Sequence, residues 1–175
     1  MKKIILILAL TLSFLTINAQ SSFDKFENQD DINAFVISKK MFEMIAKTKI
    51  KSKNQDIQKY TNIIKNLDQV KVFTTESVAR GKEMKAFADN YLKNSKLEEL
   101  MRASNGGKNV KIYVKNGASD NNIKELFMFI EGDAKDRNTV LLTLTGNLNL
   151  DEISELTEIL NLPGSEEIKK ATEKK

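Results

Sequence analysis

Three sets of residues in this sequence have the types and spacing that chemistry uses. Asp24, Glu27, Asn28, Asp30 and Asp31 put carboxylate and amide oxygens close together, which suits a hard cation such as calcium. They lack the glycine and the regular ligand spacing of a calcium loop, so a solvated, helix-capping segment is the simpler reading. Glu131, Asp133 and Asp136 surround one expected hairpin turn. Paired carboxylates do acid and base work only in a site that separates their pKa values. Lys135 and Arg137 lie among them, and aspartate favours turns for local hydrogen-bonding reasons. Gly106-Gly107-Lys108 resembles part of a phosphate loop. Such a loop needs a strand before it and a helix after it, and here the expected order is reversed.

Two further patterns have functional counterparts elsewhere. Ser38-Lys39-Lys40-Met41 has a serine near lysines, but a serine with a lysine base needs the lysine three positions on, where Met41 stands. Neighbours one and two apart do not face each other on a helix, so Ser38 reads as a helix cap. Met41, Met44, Met84, Met101 and Met128, with Phe42, Phe127 and Phe129, can line a pliable groove for a lipid or peptide. The same spacings are those of a packed core. Lys111, Tyr113 and Lys115 share one strand face, which reads as solvated.

What is missing narrows the chemistry further. The 175 residues contain no histidine, cysteine or tryptophan. Serine or cysteine triads built on histidine are excluded, as are zinc sites of histidine and cysteine. No catalytic residue, metal ligand or cofactor-binding residue is assigned, and no cofactor is implied.

The elements that would position any site follow from periodicity. Ala34 to Ile37 reads as a short strand. Met41, Met44, Ile45 and Thr48 mark one side of a helix, with Phe42 beside them. Ile57, Tyr60, Ile63, Ile64 and Leu67 mark a second helix, and Val70 to Thr75 a strand. Met84, Phe87, Ala88, Tyr91 and Leu92 stripe a long helix. Leu97, Leu100 and Met101 extend helically until Asn105-Gly106-Gly107. Val110 to Val114, Leu126 to Ile130 and Val140 to Leu144 are three strands in close order. Asn149 or Asp151 caps a final helix that Pro163-Gly164 stops. The expected fold is α+β: a two-layer sandwich, with a mixed or antiparallel sheet of about five strands and helices on one face.

Met1 to Ala19 stands apart. Lys2 and Lys3 precede an apolar run from Ile4 to Ile17, and Ala19 offers a small residue before polar sequence. The run is 14 positions long, and a spanning helix needs about 20. It therefore reads as a cleaved secretory signal peptide. Residues 20–162 are then one α+β domain and 163–175 a charged tail, a frayed helix or disordered. Removal of Lys2 and Lys3 leaves 26 basic against 24 acidic residues, so nucleic acid is not an expected partner.

Phe23-x-Lys25-Phe26, Val36-Ile37-Ser38-Lys39-x-Met41, Glu99-Leu100-Met101, Val110 to Val114, Glu125-Leu126 and Gly146-x-Leu148-x-Leu150 occur in that order. This pattern resembles the family called domain of unknown function four-two-five-two, found in exported proteins of Bacteroidota-type bacteria. The resemblance runs from about Phe23 to Leu160. It implies export and a single domain, and it carries over no catalytic residue. Lipid anchoring does not carry over either, since no cysteine follows the leader.

The function expected is that of a non-enzymatic binding module in the periplasm or cell envelope, possessing no membrane span after cleavage. Its partner would be another envelope protein, through a sheet edge or apolar patch, or a small apolar ligand. The alternative is a hydrolase or a lipid- or peptide-binding protein with a carboxylate-lined or apolar pocket.

Overall fold

A computed structural model describes residues 23–49, 55–105, 107–119, 121–132 and 137–172. The expected signal peptide, Met1 to Ala19, lies outside them, as do Gly106, Asp133 and Asp136. A single 3-10 turn, Asp24–Phe26, precedes β1 (Asn33–Ser38), α1 (Lys39–Lys49), α2 (Gln55–Lys65) and β2 (Leu67–Thr75). Then come α3 (Val78–Asn94), β3 (Glu98–Asn105), β4 (Lys108–Asn116), β5 (Asn122–Glu131) and β6 (Thr139–Asn149). Two helices close the chain, α4 (Leu150–Ile159) and α5 (Ser165–Thr172).

The α+β class holds. The strands form one six-stranded sheet in the order β1-β2-β6-β5-β4-β3, and every neighbouring pair is antiparallel. Strands β3 to β6 run as a meander. β5 and β6 lie in the middle because both of their faces are apolar, and such strands are stable only when covered on both sides.

That burial sets the layering. Leu126, Met128 and Ile130 of β5 join Val140, Leu142 and Leu144 of β6 in a core with Phe42, Ile63, Ile153 and Ile168 from the helices. Phe127, Phe129 and Leu141 point the other way, into a second core with Phe73, Met84, Phe87, Phe23 and Phe26. Helices therefore cover both faces. α1, α2, α4 and α5 lie on one, while α3 and the lead-in lie on the other. The expectation of helices on one face underestimated what two apolar strand faces demand.

The segment Glu98–Asn105 is a strand, where a continuing helix was expected. Leu97, Leu100 and Met101 do have helical spacing. Pairing with β4, from Glu98↔Val114 to Asn105↔Lys108, satisfies the backbone instead. Gly107, at φ +97°, makes the turn between the two strands. At the other end of the chain, Ser165–Thr172 is a helix with Ile168 fully buried and Ala171 nearly so. A tail with this much apolar burial belongs to the main core.

Two local details hold the ends of this frame. The Asn149 side chain accepts a hydrogen bond from the Asp151 amide at 3.0 Å, capping α4. Gly146 has φ +155°, and a Cβ there would lie 2.2 Å from the Asn66 carbonyl oxygen, so only glycine lets β6 pass the start of β2.

Candidate functional site

The buried ionisable groups among the described residues lie on the α3 side of the sheet. Lys71 of β2 is nearly buried, and its ammonium is bound by Asp24 and by Glu27 at 2.9 Å. Burial pulls the Lys71 ammonium toward neutrality. Hydrogen bonds to both carboxylates, and their charge, outweigh that and hold it above the ordinary lysine range. The bond from Lys71 holds the Asp24 carboxyl below the ordinary aspartate range. Tyr91 of α3 donates to buried Glu125 of β5 at 2.6 Å. Burial first, and then this bond to a carboxylate, push the phenol well above its usual range.

These pairs tie elements together. The Lys71 clamp pins the lead-in to β2, where Phe26 is fully buried against Phe73 and Phe87. Tyr91 stacks on Phe127 with centroids 5.3 Å apart, and Phe23 closes edge-on against Phe87 and Tyr91. Asp24, Glu27 and Glu125 each already have a donor in this layer.

The other sequence-expected groups are scattered. Asp30 and Asp31 are exposed just before β1, apart from the Lys71 clamp. Glu131 pairs with Lys85 of α3 at 2.5 Å. Lys108 meets Glu167 of α5 at 3.7 Å, and Ser38 is the exposed last residue of β1. Of the β4 face, Lys111 reaches Asp89, Tyr113 donates to Glu99 at 2.8 Å, and Lys115 is exposed. Among the described residues no cluster of three or more aspartate or glutamate side chains is placed to hold a metal ion.

The methionine and phenylalanine set divides. Phe42, Met84, Phe127, Met128 and Phe129 are core. Met41 and Met44 are about half exposed, because α1 turns Phe42 and Ala46 inward instead. Phe35 at 50 % and Val36 at 40 % join them as large exposed apolar side chains. These four residues belong to β1 and to the helix that leaves it.

β1 is a sheet edge. Among the described residues it pairs with β2 alone, from Asn33↔Thr74 to Ser38↔Gln69, without a bulge. It holds no charge and no proline. Phe35 lies opposite Val72 and so projects on the α4 side, while Val36 lies opposite Lys71 and projects on the other. Beside Phe35 runs a groove of about 320 Å³, lined by Ala34, Phe35, Val72, Leu160, Leu162 and Pro163.

The opposite edge, β3, is built otherwise. It carries exposed Glu98, Glu99 and Arg102, and its register shifts between Glu99 and Met101. Arg102 binds Glu99 at 2.5 Å. Charges and bulges are the usual protection of an edge against further pairing, and β1 has neither.

The family model described as Domain of unknown function (DUF4252) matches residues 26–156. The chain belongs to that family. The DUF4252 match runs from Phe26 in the lead-in to Leu156 in α4, so it takes in the whole sheet and most of both cores, with the unprotected β1 edge inside it. No curated protein and no solved structure matches the chain.

The sequence marks Phe35 and Val36 as strand residues but does not show that their strand is an open edge. The available signal was an uncharged six-residue strand between two aspartates and two lysines. Lys71 was missed as a buried cation, because its strand reads as ordinary alternation.

Proposed function

We propose that this chain is an exported, non-enzymatic binding module of the cell envelope that takes its partner by strand addition at β1. The observation that carries this reading is the contrast between the two sheet edges. One is charged and bulged, whereas the other is unbulged and uncharged, carries exposed Phe35 and Val36 and leads into exposed Met41 and Met44. Strand addition supplies main-chain hydrogen bonds for affinity and side-chain pockets for selectivity. The leader Met1 to Ala19 supports delivery to the periplasm or envelope. Among the described residues no helix is long and apolar enough to cross a membrane.

A photo-crosslinking side chain placed at position 35, and separately at position 102, tests the reading in the cells that make the protein. An adduct at 35 and none at 102 is the expected result. Absence of any adduct at 35 overturns it.

The groove beside Phe35 favours a second reading, a site for a small apolar ligand. Its volume is at the lower end of ligand pockets. A fluorescent fatty acid whose emission rises with the wild-type chain and not with Leu162→Glu would support that reading.

A further inference from the structure

We propose that the strand added at β1 is β1 of a second copy, in antiparallel register about Phe35. This rests on the strand-addition reading above and names its occupant.

The flanking charges choose the partner and its direction. Asp30 and Asp31 precede the strand and Lys39 and Lys40 follow it, all four exposed. A second β1 running antiparallel brings the aspartates of each copy to the lysines of the other, twice by symmetry. A parallel copy would set like charges together. Lys39 already meets Asp68 at 2.7 Å and Lys40 meets Glu43 at 3.9 Å, but both pairs are exposed. Exposed pairs are worth little, so exchanging partners costs little.

The side chains fix the register. Antiparallel neighbours in one continuous sheet keep each face on its own side, so a residue opposes one of its own parity. Phe35 opposite Phe35 of the second copy satisfies this rule. The same register brings the turn of Asp30 and Asp31 in each copy to the end of the other strand, where Lys39 and Lys40 begin α1. The two-fold axis then passes through the Phe35 pair, perpendicular to the sheet. Such an isologous arrangement is the commonest form of closed oligomer. Each Phe35 ring projects on the side that carries the groove, so the ring of one copy lies over the groove of the other. The unprotected edge is removed in the process.

A charge swap at the axis is the decisive experiment, since Phe35 is half exposed and its replacement leaves the core intact. Native mass spectrometry and sedimentation are run on the exported chain, with circular dichroism to confirm the fold. The wild type is expected to be a dimer. Phe35→Lys and Phe35→Glu are each expected to be monomeric, because two like charges then face each other on the axis. Mixing those two variants should restore a dimer. The chain has no cysteine, so Phe35→Cys should form a disulfide dimer on mild oxidation, while Arg102→Cys should not. A wild-type monomer at all concentrations, or a dimer that survives Phe35→Lys, overturns the proposal. A monomer that still crosslinks through position 35 to a different protein overturns self-pairing and leaves strand addition standing. No crosslink at 35 of any kind overturns both.

Discussion

The Lys71 clamp shows how unevenly the members of an ion pair can contribute. The lysine is nearly buried, whereas the Asp24 side chain is half exposed and that of Glu27 a third. Removing both carboxylates leaves an ammonium in an apolar layer beside Phe73. Removing the lysine leaves carboxylates that water can reach. Asp24→Asn with Glu27→Gln should therefore lower the melting temperature by several degrees, and Lys71→Met should stay within about 1 kcal/mol of the parent. Thermal melts of the three proteins check this order. The pH dependence follows from the same groups. Asp24 titrates below its ordinary 3.8 in the native state, so its contribution is present above that value and is lost as pH falls through the lowered one. Lys71 is raised above 10.5 and Tyr91 above 10.0, so their contributions hold below those values and fade as pH rises further. Stability should be flat between about pH 5 and 9 as far as these groups act. The acid loss should shrink in Lys71→Met. Absorbance at 295 nm should show Tyr91 ionising only as the chain unfolds.

Elements depend on close approaches that single residues permit. Gly146→Ala drives a Cβ into the Asn66 carbonyl at a positive φ, and should cost about 1–3 kcal/mol in chemical denaturation. Gly164, at φ +85°, lets the turn before α5 lie against Met128. Ile168 of α5 is fully buried, and Ile168→Ala should cost about 2–5 kcal/mol. A tail that merely frayed would show no measurable loss. Element type was legible in most of the chain, since β5, β6 and the long helix α3 have strong patterns. It was not legible at Glu98–Asn105. Leu100 and Met101 are only half buried there, and Arg102, Ala103 and Ser104 are exposed. An edge strand of that kind carries almost no periodic signal, so its pairing with β4 outweighs local preference.

On the scale of the whole molecule, the sheet separates two cores that share its central strands. Leu141 and Leu142 are adjacent, both fully buried, and face opposite ways. Leu141→Ala and Leu142→Ala should each cost about 2–5 kcal/mol by urea unfolding. A fold with one covered face would show that loss at only one of them. The residues of the candidate site were legible in the same divided way. Phe35 and Val36 could be read as strand, and Met41 and Met44 as helix, because those assignments depend on neighbours in sequence. Their exposure could not, because it depends on whether another strand or helix lies across from them. Composition alone excluded histidine and cysteine chemistry, and periodicity alone pointed to an α+β chain. Tertiary structure decided that β1 stands at an open edge, that Lys71 lies between two carboxylates 47 and 44 residues away, and that both faces of the sheet are covered. Those are consequences of which segments meet in space, and chain closure brings together residues whose separation in sequence carries no local trace.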